Sequence, residues 1–149
     1  MPYTRNDLLF LGRMNIRYHE NRERYYELFI NWTAFASVLL SSAAILSLMP
    51  LLPPQWQFLK DAILPIAASI VAGLNAAVLA MGMFNKFTVH SDLKKQWIAF
   101  LSRLDRAEVE SDMKEFEQAL HDLCAREPAA DQKLLKLAEA QTKEALGWQ

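Results

Sequence analysis

The stretches that decide the fold are Leu28–Pro54, LFINWTAFASVLLSSAAILSLMPLLPP, and Ala62–Asn85, AILPIAASIVAGLNAAVLAMGMFN. Between Leu28 and Asn85 the only charged residues are Lys60 and Asp61, whereas the other 91 residues carry the remaining 31 charges. A helix rises about 1.5 Å per residue, so about 20 apolar residues cross a hydrocarbon core about 30 Å thick. Both runs are long enough. Strands span with fewer residues but only in a closed barrel, and neither run shows the period-2 alternation a barrel needs. The expected fold is an all-α membrane protein: a two-helix transmembrane hairpin (28–85) between an amphipathic N-terminal helix (1–27) and a cytoplasmic helical region (86–149). The spans lie at about 28–50 and 62–85. A helical hairpin buried in a soluble bundle is the alternative, but two charge-free runs of this length exceed what a small core requires.

Around these runs the rest of the chain falls into place. Residues 50–61 contain Pro50, Pro53 and Pro54, which fix φ and interrupt helix, so the chain turns there. Trp56 and Phe58 suit the headgroup level, and the short connection makes the spans antiparallel neighbours. The N-terminal segment carries Arg5, Arg13, Arg17, Arg22 and Arg24, and Lys86, Lys94, Lys95, Arg103 and Arg106 follow the second run, against Lys60 alone in the turn. The positive-inside rule then puts both termini of this multi-pass protein in the cytoplasm and the Pro-rich turn outside. Tyr25, Tyr26 and Trp32 are the expected interfacial anchors of the first span, with Trp56 on the far side. The Leu8–Leu11 run is too short for a cleavable signal, and the first span is expected to act as its own insertion signal.

Composition excludes several chemistries. A net charge of −1 over 149 residues gives no basic face for nucleic acid, and one cysteine allows neither an internal disulfide framework nor a multi-Cys zinc site. Four glycines form no phosphate-binding loop. His121 and Cys124 share a helix face but lack a third metal ligand, and His19-Glu20 reads as a surface pair. His90, just past the second run, reads as an interfacial residue or a reporter of pH. No catalytic constellation, cofactor site or metal site is expected, and an enzyme is not.

Two patterns point to association. Ser69, Ala72, Gly73, Ala76 and Ala80 make a stripe of small residues on the second span, and Ala34, Ser37, Ser41 and Ala44 repeat the theme on the first. Such stripes let transmembrane helices approach closely, within one subunit or between subunits. Asn75 shares a face with Ala68 and Gly82, and its amide must meet protein or water; an interhelical hydrogen bond and a pore lining in a ring of subunits both satisfy it. Past Lys86 the second span is expected to continue as helix through Leu93, Trp97, Phe100 or Leu101, and Leu104. Ser111 can cap a fresh start, after which Met113, Phe116, Leu120 and Leu123 form a heptad-like seam, Glu127-Pro128 breaks it, and a last helix ends at Gly147. These faces are too sparse to fold alone. They require the N-terminal helix, other copies of the chain or a second protein, and residues 93–123 are the expected oligomer or partner seam. Residues 1–27, with Thr4, Asn6 or Asp7 as cap, pack on that region or lie on anionic lipid.

The layout resembles the SMODS- and SLOG-associating two-transmembrane effector (SLATT) family. The resemblance rests on the Arg/Tyr-rich helix Arg13–Tyr26 (RMNIRYHENRERYY), the two-span hairpin and the basic, aromatic helix Lys86–Leu104, and it covers roughly residues 8–125. The tail LCAREPAADQKLLKLAEAQTKEALG is also similar to tails of small two-span bacterial proteins of this type. The resemblance implies a homo-oligomeric membrane effector of an anti-phage defence system, which permeabilises the inner membrane when a cytoplasmic sensor or enzyme from another chain activates it. The competing expectation is a non-conducting oligomeric scaffold that recruits a soluble enzyme. Either way, a tag at each terminus should be unreachable by a membrane-impermeant reagent in spheroplasts and become reachable on lysis.

Overall fold

Thr4 starts the first helix with a reciprocal cap. Its backbone N–H and hydroxyl donate to Asp7 Oδ2 at 2.9 and 2.6 Å, and its Oγ1 accepts from the Asp7 backbone N–H at 3.2 Å. The two bonds into the carboxylate, the hydroxyl's foremost, hold Asp7 below the ordinary carboxylate range. From this cap α1 runs Arg5–Ser47, followed by α2 (Gln57–Ala80), α3 (Met83–Arg106), α4 (Met113–Ala125) and α5 (Gln132–Leu146). The computed structural model describes residues 3–47, 57–107 and 113–148, and among these every element is helical. The prolines of the expected turn, Trp56, and the proposed Ser111 cap lie outside the described residues.

Two expectations about helix ends are corrected. No break separates an N-terminal helix from the first apolar run, since α1 passes through residues 27 and 28 without a Gly or Pro to stop it. Conversely, the second run is broken within itself, at residues 81 and 82, while from Met83 the helix runs on past Asn85 to Arg106 as the spacing predicts. Gly82 adopts φ +59° and its N–H donates to the Leu79 carbonyl at 3.0 Å, which ends α2 at Ala80 before α3 restarts at Met83. Among the described residues no single helix is long and apolar enough to cross a membrane; the pair Pro65–Ala80 and Met83–Arg106, taken together, is.

The chain divides into two units, residues 1–25 with 87–149, and residues 26–86. In the first, Leu8 of α1 joins Trp97, Phe100 and Leu104 of α3 and Phe116, Leu120 and Leu123 of α4 in one core, with Leu101 and Met113 packed partly buried against it. Phe100 meets Trp97 and Phe116 edge to face at 5.6 and 6.1 Å. Fully burying such side chains stabilises by about 1.5–3 kcal/mol each. The Arg5 guanidinium donates to the Leu104 and Asp105 carbonyls at 3.0 and 3.2 Å, satisfying the C-terminus of α3. Arg103 reaches Glu115 at 2.6 Å, linking α3 to α4. Asp131 caps α5 by accepting from the Lys133 and Leu134 backbone N–H groups, and Gly147 ends it at φ +68°.

Gly12 sets how closely α1 approaches α3. A Cβ there would lie 2.5 Å from Leu101 Cδ2 and 2.9 Å from its Cγ, closer than carbon atoms pack. Gly12→Val should therefore destabilise the unit by about 1–3 kcal/mol through overpacking. Adding Leu101→Ala should recover part of that loss. Unfolding midpoints of the single and double variants check both statements.

Candidate functional site

Two groups of residues stand out in the structure, one in each unit. In the first unit, His19 of α1 and His90 of α3 are both buried, at 0% and 3% exposure, with their Nδ1 atoms 2.8 Å apart. His19 Nε2 lies 3.2 Å from Glu127 Oε1, and the same oxygen accepts from Trp97 Nε1 at 2.9 Å. Tyr18 sets its ring edge-on to both imidazoles, and its hydroxyl accepts from the Asp131 backbone N–H at 3.0 Å. Arg22 lies 3.6 Å from Asp131, and Glu23 pairs with Lys94. The node thus ties α1, α3 and the connection from α4 to α5 together through polar bonds inside an apolar bundle.

This overturns the reading of His19 as a surface residue. Its burial has a periodic cause, because Leu8, Gly12, Asn15 and His19 recur at spacings of four, three and four along α1, and all four are buried. His90 likewise precedes Leu93, Trp97, Phe100 and Leu104 at spacings of three and four, so the seam read from Leu93 onward extends one step back to it. That extrapolation was the available signal. Burial foremost, then the charges of His19 and Arg22, lower His90 from 6.5 to about 4, against the opposing pull of Glu127.

The expected partner seam is reassigned. Leu93, Trp97, Leu104, Phe116, Leu120 and Leu123 are buried within this chain, and Leu101 and Met113 are partly buried against them, because the first twenty residues of α1 cover the faces that would otherwise seek a partner. His121 is exposed and meets Tyr3 edge-on at 6.5 Å, and Cys124 is a free thiol raised by burial and by Glu127. Among the described residues no three ligand-bearing side chains converge on a metal site.

In the second unit, Tyr26, Thr33, Ala67, Val78 and Met83 are buried. Tyr26 is therefore a packing residue and not an interfacial anchor, whereas Tyr25 and Trp32 are 53% and 66% exposed. The small stripe of α2 does not lie in this unit's interior: Ser69, Ala72, Gly73, Ala76 and Ala80 are all exposed, as are Ala68 and Asn75, and among the described residues a Cβ on Gly73 would meet nothing within 4 Å. Ser69 returns its hydroxyl to the Pro65 carbonyl at 2.7 Å, which keeps that polar group satisfied within the helix. On α1, Ser41 is exposed and Ser37 is half-buried, its Oγ without a hydrogen-bond partner among the described residues. Gly82 is half-buried and serves the backbone break. Around these positions Phe35, Val38, Leu39, Ile66, Ile70 and Leu79 are exposed, Val38 and Leu79 at 65% and 73%.

The arrangement describes a helical protein with a polar node inside one unit and an unpartnered apolar surface on the other. Comparison with known proteins finds no matching family model, no similar curated protein and no similar solved structure. The node's role in stability can be measured directly. Glu127→Ala leaves the Trp97 and His19 donors without their acceptor and should cost about 1–3 kcal/mol, while Tyr18→Phe should cost about 1 kcal/mol. Unfolding of both variants at neutral pH, followed by circular dichroism, checks the order.

Proposed function

We propose that this chain is an inner-membrane effector that assembles with copies of itself and perturbs or permeabilises the bilayer when a cytoplasmic partner from another chain activates it, in a bacterial anti-phage defence system. One observation carries the reading. The unit formed by residues 26–86 exposes Trp32, Phe35, Val38, Leu39, Ile66, Ile70 and Leu79, and this many exposed large apolar side chains call for cover by lipid or by other protein. The near absence of charge between Leu28 and Asn85 favours lipid as the main cover. The resemblance to SLATT proteins supplies the defence context.

Self-association is supported by the polar exception on that surface. Asn75 stands exposed beside Ala68, Ala72, Gly73 and Ala76, with no hydrogen bond from its amide among the described residues. An amide in hydrocarbon without a partner is costly, so a second copy or water in a pore must satisfy it. A scaffold that recruits an enzyme through the 93–123 seam is less well supported, because its Leu93, Trp97, Leu104, Phe116, Leu120 and Leu123 are buried within the chain itself.

The single-chain structure makes the test clean. A Cβ at Gly73 meets nothing within 4 Å among the described residues, Asn75 is exposed, and leucine at either position favours insertion. Expressed with the activator, the wild type should dissipate membrane potential and run as four or more copies in detergent. Each variant should insert normally yet lose the potential collapse. Full activity in both variants, or a monomer in detergent, refutes the reading.

A further inference from the structure

The geometry of the buried imidazole pair limits how many protons it can hold. An Nδ1–Nδ1 separation of 2.8 Å holds only with one proton between the two nitrogens. Glu127 Oε1 already accepts from Trp97, and an ionised carboxylate can only accept, so His19 Nε2 carries a hydrogen toward it. With two protons on the two rings, His90 donates from Nδ1 to His19. With three, a proton still bridges the Nδ1 atoms and the added charge faces Glu127. With four, two N–H groups on two cations confront each other across the same gap, and the contact cannot persist.

We propose that His19 and His90 form a proton-operated latch, in which uptake of the fourth proton parts the rings and releases α1 from α3 within the bundle of residues 1–25 and 87–149. This inference does not rest on the membrane reading. The groups around the pair fit the role. From α1, Arg22 adds positive charge and the Tyr18 ring excludes water; from the α4–α5 connection, Glu127 supplies the one facing carboxylate. Asp131 is turned to Arg22 at 3.6 Å, the Glu23–Lys94 pair contributes no net charge, and Cys124 of α4 is held as a neutral thiol.

The pH window follows from His90, which protonates near 6.5 when exposed and at about 4 in the bundle. A depressed histidine stabilises the closed form fully above about 6.5. That stabilisation declines as pH falls through the interval and is gone below about 4. Over the window the closed-to-open ratio should fall on the order of a hundredfold.

Hydrogen exchange on the full chain between pH 7.5 and 4, corrected for the intrinsic amide rate, reads the latch at residues 14–25 and 87–99. Protection there should drop by about a hundredfold through the window. His90→Gln, which cannot take a proton, should abolish the drop, and His121→Gln, at an exposed site, should keep it. A wild-type drop retained in His90→Gln overturns the proposal, and so does wild-type protection that stays flat to pH 4. Where His90→Gln does not fold at pH 7.5, imidazole nitrogen NMR of the wild type decides. A hydrogen-bonded Nδ1 pair at neutral pH that gives way to two imidazolium signals as protection is lost supports the latch, and the lack of such a bonded pair at neutral pH refutes it.

Discussion

The apolar faces of α3 and α4 close only because the first five turns of α1 lie against them. Leu8 enters the core among Trp97, Phe100, Leu104, Phe116, Leu120 and Leu123, and the missing side chain at Gly12 admits Leu101 one turn further on. Hydrogen bonds then take over from apolar contact: His19 to His90, Asn21 to Gln141 at 3.2 Å, and Tyr18 to the cap of α5. Phe10 stacks on Trp148 with centroids 5.3 Å apart, fastening the far end of α5 to the same helix. Remove α1, and helices of 13 and 15 residues are left with half a core, which is below what sustains short helices in water. α1 is therefore held in the unit by contacts between residues more than seventy positions apart, and no local propensity replaces them.

How much of this was legible depends on what the seam is made of. On α3 and α4 the buried line reads Leu, Trp, Phe, Leu and then Phe, Leu, Leu, so hydrophobic spacing reveals it, as do the Asp131 and Gly147 ends of α5. On α1 the buried line reads Leu8, Gly12, Asn15 and His19, with Arg22 half-buried beyond them. A helix whose inner face is glycine, amide and imidazole carries almost no hydrophobic periodicity, because its partners satisfy it by close approach and hydrogen bonds. That is why His19 reads as a surface residue in isolation. The break at Gly82 was hidden for a related reason: a glycine among alanines in an apolar run looks like a small packing residue, and only its positive φ shows that it ends a helix.

The unit of residues 26–86 poses the opposite case. Its burial is slight, with Ala67, Val78 and Met83 turned inward, while bulkier Phe35, Leu39, Ile66 and Leu79 turn outward. In water that distribution is unfavourable, at about 25 cal/mol for each Å² of apolar surface left wet. In lipid the penalty vanishes, and close packing becomes the source of helix association, which rewards small residues at contacts. In the proposed reading the exposed Ser69, Gly73 and Ala76 leave room for another backbone, and among the described residues nothing lies within 4 Å of a Cβ built on Gly73.

A polar node inside an apolar bundle also needs an energetic reason. Burying two imidazoles, a carboxylate edge and an indole N–H contributes less stability than apolar groups of the same volume would, because each must first shed water. What the node adds is alignment. Hydrophobic seams on α1 and α3 tolerate sliding by a turn, with leucine exchanging one hole for another, whereas a 2.8 Å contact between ring nitrogens exists at a single register. Sliding α1 by four residues toward either end would bring Asn15 or Glu23 to the position of His19, strand the Trp97–Glu127 bond beside it, and part Gly12 from Leu101. Glycine fit and imidazole pairing therefore select the same alignment by independent means. The steric one is indifferent to protons and the electrostatic one is not, so acidification can weaken the α1–α3 contact at His90 while the Leu8 end of the core keeps its packing.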